Sequence, residues 1–275
     1  KSTVLLSIVP IIYKRDRHIV NNDLAPLDIC EKRISSGSLL NLRYVPSRNW
    51  WAEVTTGIEK ESLKSRSNIN SASSFCTSRS GFDDFVFSAG HNWFPSEESQ
   101  IVLYGLGGLP SKRSVTLFDA QDALVGTRFY SLGLGSEFSY SFFNRPKRNL
   151  IFVFQNRFLH FFKRSLAPIL PADAKVEPGN VTDLLFTLQY RFKTNLFEAG
   201  YNSTFFSNQA ILLKTREIKS HWALRNSVYA NFIHLFKRCP GINKPILFGG
   251  GLNIGKSNKF DTKIFSAWLN LSLIF

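Results

Sequence analysis

The chain has 275 residues, of which 44% are hydrophobic and 14% aromatic, and it carries a formal net charge of +14. No apolar run approaches the roughly 18 residues of a membrane-spanning helix, so the sequence predicts none. The Lys and Arg residues are scattered over turns and loops without a basic stripe interleaved with stacking aromatic residues, so no nucleic-acid partner is expected.

Apolar and polar residues alternate with a period of two along most of the chain, which is typical of β-strands with one apolar face. The predicted strands, in chain order, are 3–12, 39–45, 50–58, 81–94, 100–109, 124–143, 149–163, 182–193, 196–206, 221–237, 245–255 and 262–275. The last strand alternates over its whole length and ends on Phe275. A soluble β-sandwich would show shorter runs and would rarely end on an exposed aromatic residue.

The connections between these strands alternate in length. The long ones are 13–37, 61–80, 110–123, 164–181 and 207–220, and the short ones are 46–49, 95–99, 144–148, 193–195 and 238–244. The last connection, 256–260, is the exception, because it is short where the alternation would place a long one. Membrane barrels have short turns at one end and longer loops at the other, whereas a soluble sandwich has no reason to alternate them.

The terminal strand and the loop rhythm resemble those of bacterial outer-membrane β-barrels, whose final residue is typically a Phe that the barrel-assembly machinery reads. The resemblance implies an all-β fold, with residues 1–275 forming one antiparallel transmembrane barrel of about twelve strands. Because single-chain bacterial barrels have an even number of strands, the weak strand 3–12, which contains Pro10, is predicted to be the twelfth.

The same resemblance predicts an outer-membrane location, with both termini on the periplasmic side and the long loops outside the cell. The expected partners are outer-membrane lipids, lipopolysaccharide and the assembly machinery, which would read Phe275. The chain contains no Met and opens on Lys1, so it is interpreted as a mature protein from which a signal peptide has been removed.

The inner face of the predicted barrel carries charged residues. These candidate pore-lining residues are Arg43, Glu53, Glu137, Arg157, Asp183, Arg191, Glu198 and Arg225. They could form a constriction whose arginines attract anionic solutes. Alternatively, they could pair across a narrow lumen and only fill it. The signs are nearly balanced, so strong anion selectivity does not follow from either arrangement.

No enzyme motif, metal-ligand spacing or cofactor site is evident in the sequence. The glycine-rich stretches 105–109 and 249–255 do not connect a strand to a helix as a phosphate-binding loop would. His160 and His234 fall on the lipid-facing side, and no serine pairs with either in the predicted strands. An interfacial lipid hydrolase, a class with barrels of similar strand number, is therefore kept only as a third hypothesis.

The first functional hypothesis is a passive channel for small polar solutes, with anions among them. In strand number and mixed interior the chain resembles small monomeric porins for acidic oligosaccharides. The second hypothesis is a structural or adhesive barrel that acts through its external loops.

The three cysteines give a separate prediction, since an exported protein meets an oxidising compartment. Cys30 and Cys76 fall in the first two external loops, whereas Cys239 falls in a periplasmic turn. A disulfide needs Cα atoms within about 7 Å. The sequence therefore predicts a bridge between Cys30 and Cys76, the alternative being three unpaired thiols.

Overall fold

The structure is a computed structural model that describes residues 2–22, 25–67, 74–110, 129–145, 148–165, 175–212, 217–219, 222–237, 244–258 and 262–275. No helix in these ranges is long and apolar enough to cross a membrane. The described strands are β1 (Thr3–Asn22), β2 (Ala25–Val45), β3 (Trp50–Ser67), β4 (Ser74–Phe82), β5 (Phe85–Trp93), β6 (Ser99–Leu109), β7 (Ser131–Arg145), β8 (Arg148–Phe161), β9 (Arg164–Ser165), β10 (Lys175–Glu177), β11 (Asn180–Phe192), β12 (Asn195–Phe206), β13 (Ala210–Leu212), β14 (Glu217–Lys219), β15 (Ala223–Phe236), β16 (Ile246–Ser257) and β17 (Thr262–Ile274).

The main sheet closes on itself as an antiparallel barrel. Its strands are hydrogen-bonded in the order β1, β2, β3, β5, β6, β7, β8, β11, β12, β15, β16, β17 and back to β1. The additional strand β4 pairs with the part of β3 beyond β5, so β4 and β5 occupy one position in the wall. The predicted all-β fold with twelve barrel strands is confirmed.

The barrel closes where the first and last strands meet. Leu5 pairs with Ile274, and Val4 and Phe275 exchange backbone hydrogen bonds of 3.1 and 2.8 Å. Inside the barrel, the Oγ atoms of Ser7 and Ser272 lie 2.7 Å apart. The segment 3–12 is therefore the twelfth barrel strand, and both termini lie at the end of the barrel that carries the short turns. No strand edge remains open at this seam, as a lipid environment requires.

The outer face of the wall is an apolar belt. Large hydrophobic side chains point outward at alternate positions on every barrel strand; the most exposed include Ile12, Trp50, Ile58, Leu103, Leu132, Leu134, Phe142, Val228, Leu252, Ile254 and Leu269. Such a belt is stable only against lipid, because in water it would form an apolar patch far larger than soluble monomers expose. The barrel is therefore built to span a membrane.

The first strands are much longer than a membrane crossing needs. β1 has 20 residues and β2 has 21, whereas about 9–11 residues cross a bilayer. Residues 13–22, 25–37, 61–67 and 74–80 belong to strands, so the predicted loops 13–37 and 61–80 are wrong over these parts. Beyond the lipid both faces of a strand can be polar, and the alternation that identified the strands disappears.

A small second sheet continues four barrel strands at the same end. It consists of β9, β10, β13 and β14, which follow or precede β8, β11, β12 and β15 along the chain. The predicted loops 164–181 and 207–220 are therefore partly strand. The predicted loop 110–123 lies outside the described residues except for Pro110.

Candidate functional site: the inner face of the barrel

All eight predicted lumen residues lie on the inner face of the barrel wall. Their register partners are themselves inward-facing; for example, Arg43 lies opposite Glu53, and Arg157 lies opposite Asp183. The other four lie on β7, β11, β12 and β15: Glu137, Arg191, Glu198 and Arg225. Whether they line a conducting path stays a prediction.

Among the eight predicted residues, two ion pairs join neighbouring strands. Arg157 Nε donates to Asp183 Oδ2 over 2.9 Å, and 28% of the Arg157 side chain and 9% of the Asp183 side chain are exposed. Arg43 Nη1 lies 3.9 Å from Glu53 Oε2, and its guanidinium lies 4.4 Å from the ring centroid of Trp51. Both pairs run along the wall between adjacent strands, so they brace the wall rather than bridge the lumen.

The remaining predicted residues have polar or aromatic neighbours. Gln189 Nε2 donates to Glu198 Oε2 over 3.0 Å. Arg225 is 7% exposed; its Nη2 donates to Thr204 Oγ1 over 3.3 Å. Arg191 is exposed near the short-turn end, opposite Asn149 and Leu196. The eight residues comprise four arginines and four carboxylates, so their charges cancel.

Inward aromatic side chains cover glycines of the neighbouring strand. The register places four such pairs directly opposite each other: Trp51 with Gly90, Tyr104 with Gly135, Tyr229 with Gly200, and Trp268 with Gly251. A Cβ atom on any of these glycines would collide with the facing ring. The rings therefore lie against the wall, where a glycine has no side chain to displace them. Hydrogen bonds hold two of them, from Gln155 Nε2 to the Tyr104 hydroxyl (3.0 Å) and between the Tyr229 and Thr187 hydroxyls (2.6 Å).

An apolar cluster lies on the inner face toward the end with the long hairpins. It contains Phe129, Phe161, Val176, Val181, Phe206 and Ala223. Phe129 is 1% exposed and Val176 is fully buried. Leu159 packs against this cluster and against a second one of Trp51, Val102, Tyr104 and Leu106. Side chains therefore fill this part of the interior, on one side of the barrel.

The sequence analysis missed this cluster. The signal was present in 158–162, where two pairs of adjacent apolar residues, Phe158–Leu159 and Phe161–Phe162, occupy both faces of the chain. It also missed the inward ion pairs Arg33–Glu61 and Arg17–Glu31, since their residues fell in predicted loops. The structure places them on the inner face of β1, β2 and β3.

The predicted disulfide is wrong, because β3 lies between the two cysteine strands. Cys30 of β2 is opposite Arg66, and Cys76 of β4 is opposite Lys64. Two strand spacings separate their backbones by more than about 9 Å, beyond the roughly 7 Å that a disulfide tolerates. Cys239 lies outside the described residues.

The lipid-facing histidines bond to asparagines. His160 Nδ1 donates to Asn180 Oδ1 over 2.8 Å, and His234 Nδ1 donates to Asn195 Oδ1 over 2.6 Å. A serine nucleophile would need the other ring nitrogen within hydrogen-bond reach, and within the described ranges neither histidine forms a hydrogen bond to a serine. Among the described residues no His, Cys, Asp and Glu side chains cluster as a metal site would require.

No family model and no curated protein sequence matches the chain. Solved structures of other proteins do match the chain. An outer-membrane channel from Pseudomonas putida F1 superposes with a TM-score of 0.67 at 12% identity, covering 99% of this chain and 95% of the other. The transport unit of the autotransporter AIDA-I from Escherichia coli superposes with a TM-score of 0.55 at 8% identity, covering 97% and 89%. The chain thus has the fold of bacterial outer-membrane β-barrels.

Proposed function

We propose that the protein is an outer-membrane channel through which small polar solutes diffuse passively. The observation that carries the proposal is a closed wall with an apolar outer face and an inner face that bears charged and amide side chains. A barrel of twelve strands is wider than the eight-stranded kind, whose interior side chains can fill, and narrower than the sixteen-stranded porins. Because the inward aromatic rings lie over glycines, these bulky side chains stay against the wall.

The charges on the inner face support weak selectivity rather than a strong preference for anions. Arg43 and Arg157 have carboxylate partners on adjacent strands, which neutralise them locally. Arg191 favours anions near the short-turn end, while Glu137 opposes them. Anionic solutes are therefore among the expected cargo but are not the only class.

Single-channel recording in planar lipid bilayers tests the proposal. Discrete conductance steps are expected, with a small reversal potential under a salt gradient. Asp183→Asn removes the partner of Arg157 and should shift the reversal potential toward anions, whereas Arg191→Gln should shift it toward cations.

Lys237→Gln is the matched control, since it removes one positive charge beyond the end of β15 and should leave the reversal potential unchanged. A correctly folded barrel that never conducts would refute the channel. That outcome would favour the structural or adhesive alternative, which the long β1–β2 hairpin supports.

The location and partners belong to the same proposal. The long hairpins would project outside the cell, and the short turns and both termini would face the periplasm. The barrel would contact outer-membrane lipids and lipopolysaccharide, and the assembly machinery would read Phe275.

A further inference from the structure

A patch of positive charge lies on the outward face of the barrel wall just beyond the apolar belt. On β1, β3 and β4 the belt ends at Ile12, Ile58 and Phe82, whose side chains are 55%, 49% and 60% exposed. Beyond them the outward face carries Asp16 on β1 and the 42% exposed Ile34 on β2. The same face of β1, β2 and β3 carries five cations: Lys14, Lys32, Lys60, Lys64 and Arg66. We call these five residues the basic patch.

The register concentrates this charge. Lys32 lies directly between Asp16 of β1 and Lys64 of β3, and Lys60 and Arg66 occupy the same face of β3 as Lys64. Directly opposed like charges such as Lys32 and Lys64 destabilise a sheet, and Asp16 supplies only one negative charge to this face. Lys14 is paired with Asp16, at 2.9 Å. The other four cations form no ion pair with any described residue.

The position of the patch indicates the kind of anion. A strand rises about 3.3 Å per residue, so Lys60 lies roughly 7 Å of strand beyond Ile58 and Arg66 roughly 26 Å beyond it. The polar region of a phospholipid leaflet is only about 5–8 Å thick. Lys60 therefore reaches the level of an ordinary lipid phosphate, whereas Lys64 and Arg66 lie above it.

We propose that the basic patch binds a membrane lipid with a large headgroup that carries several phosphates, that is, a phosphorylated glycolipid. Its acyl chains would lie along the apolar belt below Ile12 and Ile58. Its phosphates would accept hydrogen bonds from the ammonium and guanidinium groups. The hydroxyl groups of Ser62 and Ser80, on the same face, add donors for sugar oxygens.

This inference rests on the proposed membrane location but not on solute conduction. The test uses the purified full-length barrel in a neutral detergent, titrated with diphosphorylated lipid A, with the bound lipid counted by native mass spectrometry. The variant Lys32→Gln/Lys60→Gln/Lys64→Gln/Arg66→Gln should lower the affinity at least about tenfold.

The matched control Arg145→Gln/Arg148→Gln/Lys237→Gln/Lys244→Gln removes four exposed cations from the short-turn end, and it should bind like the wild type. The circular dichroism spectra of both variants should match that of the wild type. Equal affinity of the two variants would overturn the proposal, and so would displacement of the lipid by an equal concentration of inorganic phosphate, which would indicate a site for free anions.

Conductance recorded on the same preparations separates the two proposals. If the barrel is silent but the basic patch variant loses lipid, only the channel fails. If conductance is normal and both variants bind lipid equally, only the lipid site fails.

Discussion

Replacing Leu188 with arginine tests the assignment of the two faces of the wall. Leu188 lies on the outer face of β11 with 48% of its surface exposed, between Phe152 of β8 and Ala199 of β12. Phe186 and Tyr190 extend the same face on either side, so Leu188 lies near the middle of the apolar belt. A cation at the bilayer midplane destabilises a barrel by about 2–4 kcal/mol, and we expect a loss of this size.

The next residue, Gln189, is the matched control because it points into the barrel. Its side chain donates to Glu198 Oε2 over 3.0 Å. An arginine at this position would meet an existing carboxylate in a polar surrounding, so Gln189→Arg should change the free energy of unfolding by less than about 1 kcal/mol.

The measurement is the free energy of unfolding from urea titration in phospholipid vesicles, followed by tryptophan fluorescence. The two substitutions introduce the same side chain one residue apart, so propensity and size effects largely cancel. Equal losses, or a larger loss for Gln189→Arg, would show that the faces are assigned wrongly.

Two further predictions concern the seam and the inner wall. Deleting Phe275 removes the backbone hydrogen bonds to Val4 that end the closing strand, and we expect a lower yield of membrane-inserted barrel in a folding assay; a normal yield would show that the terminal residue is dispensable. Gly135→Ala places a Cβ atom on the ring of Tyr104 and should push that ring into the lumen, which lowers the single-channel conductance. Gly105→Ala is its control, since a Cβ there meets nothing within 4 Å, and a drop of equal size in both variants would contradict the role of the ring.

The membrane-spanning part of the fold could be predicted from the sequence because lipid and lumen impose opposite demands on alternate residues. The strand predicted at 182–193 is observed as Asn180–Phe192, and the one predicted at 221–237 as Ala223–Phe236. Most outward positions are apolar there, and many inward positions are polar, so the period of two is visible without further information.

The hairpins beyond the membrane could not be predicted in this way. Lys14, Arg15, Asp16 and Arg17 are consecutive and all charged, yet they alternate between the outer and inner faces of β1. Arg15 and Arg17 are only 3% and 8% exposed. Water outside and polar groups inside tolerate the same residue types, so the sequence carries no contrast between the two faces.

The position of Cys76 was missed for a related reason. If 61–80 were a flexible loop, its cysteine could reach Cys30 from the neighbouring loop. Because 61–67 and 74–80 instead continue the sheet, the register fixes Cys76 two strands away from Cys30. A disulfide prediction therefore depends on strand pairing that the polar sequence does not reveal.

The ion pairs of the inner face join adjacent strands along the wall, and this arrangement limits how far their charges act across the lumen. Arg43–Glu53, Arg157–Asp183 and Arg17–Glu31 each join directly opposed residues on adjacent strands. Such cross-strand pairs stabilise one register over a shifted one, since a slip of one residue would turn Arg43, Glu53, Arg157 and Asp183 toward lipid. Because each pair is neutral within one strand spacing, its field falls off quickly across the lumen. The eight predicted lumen charges sum to zero, so any ion preference of the proposed channel must arise from inward charges without an opposed partner, such as Arg191.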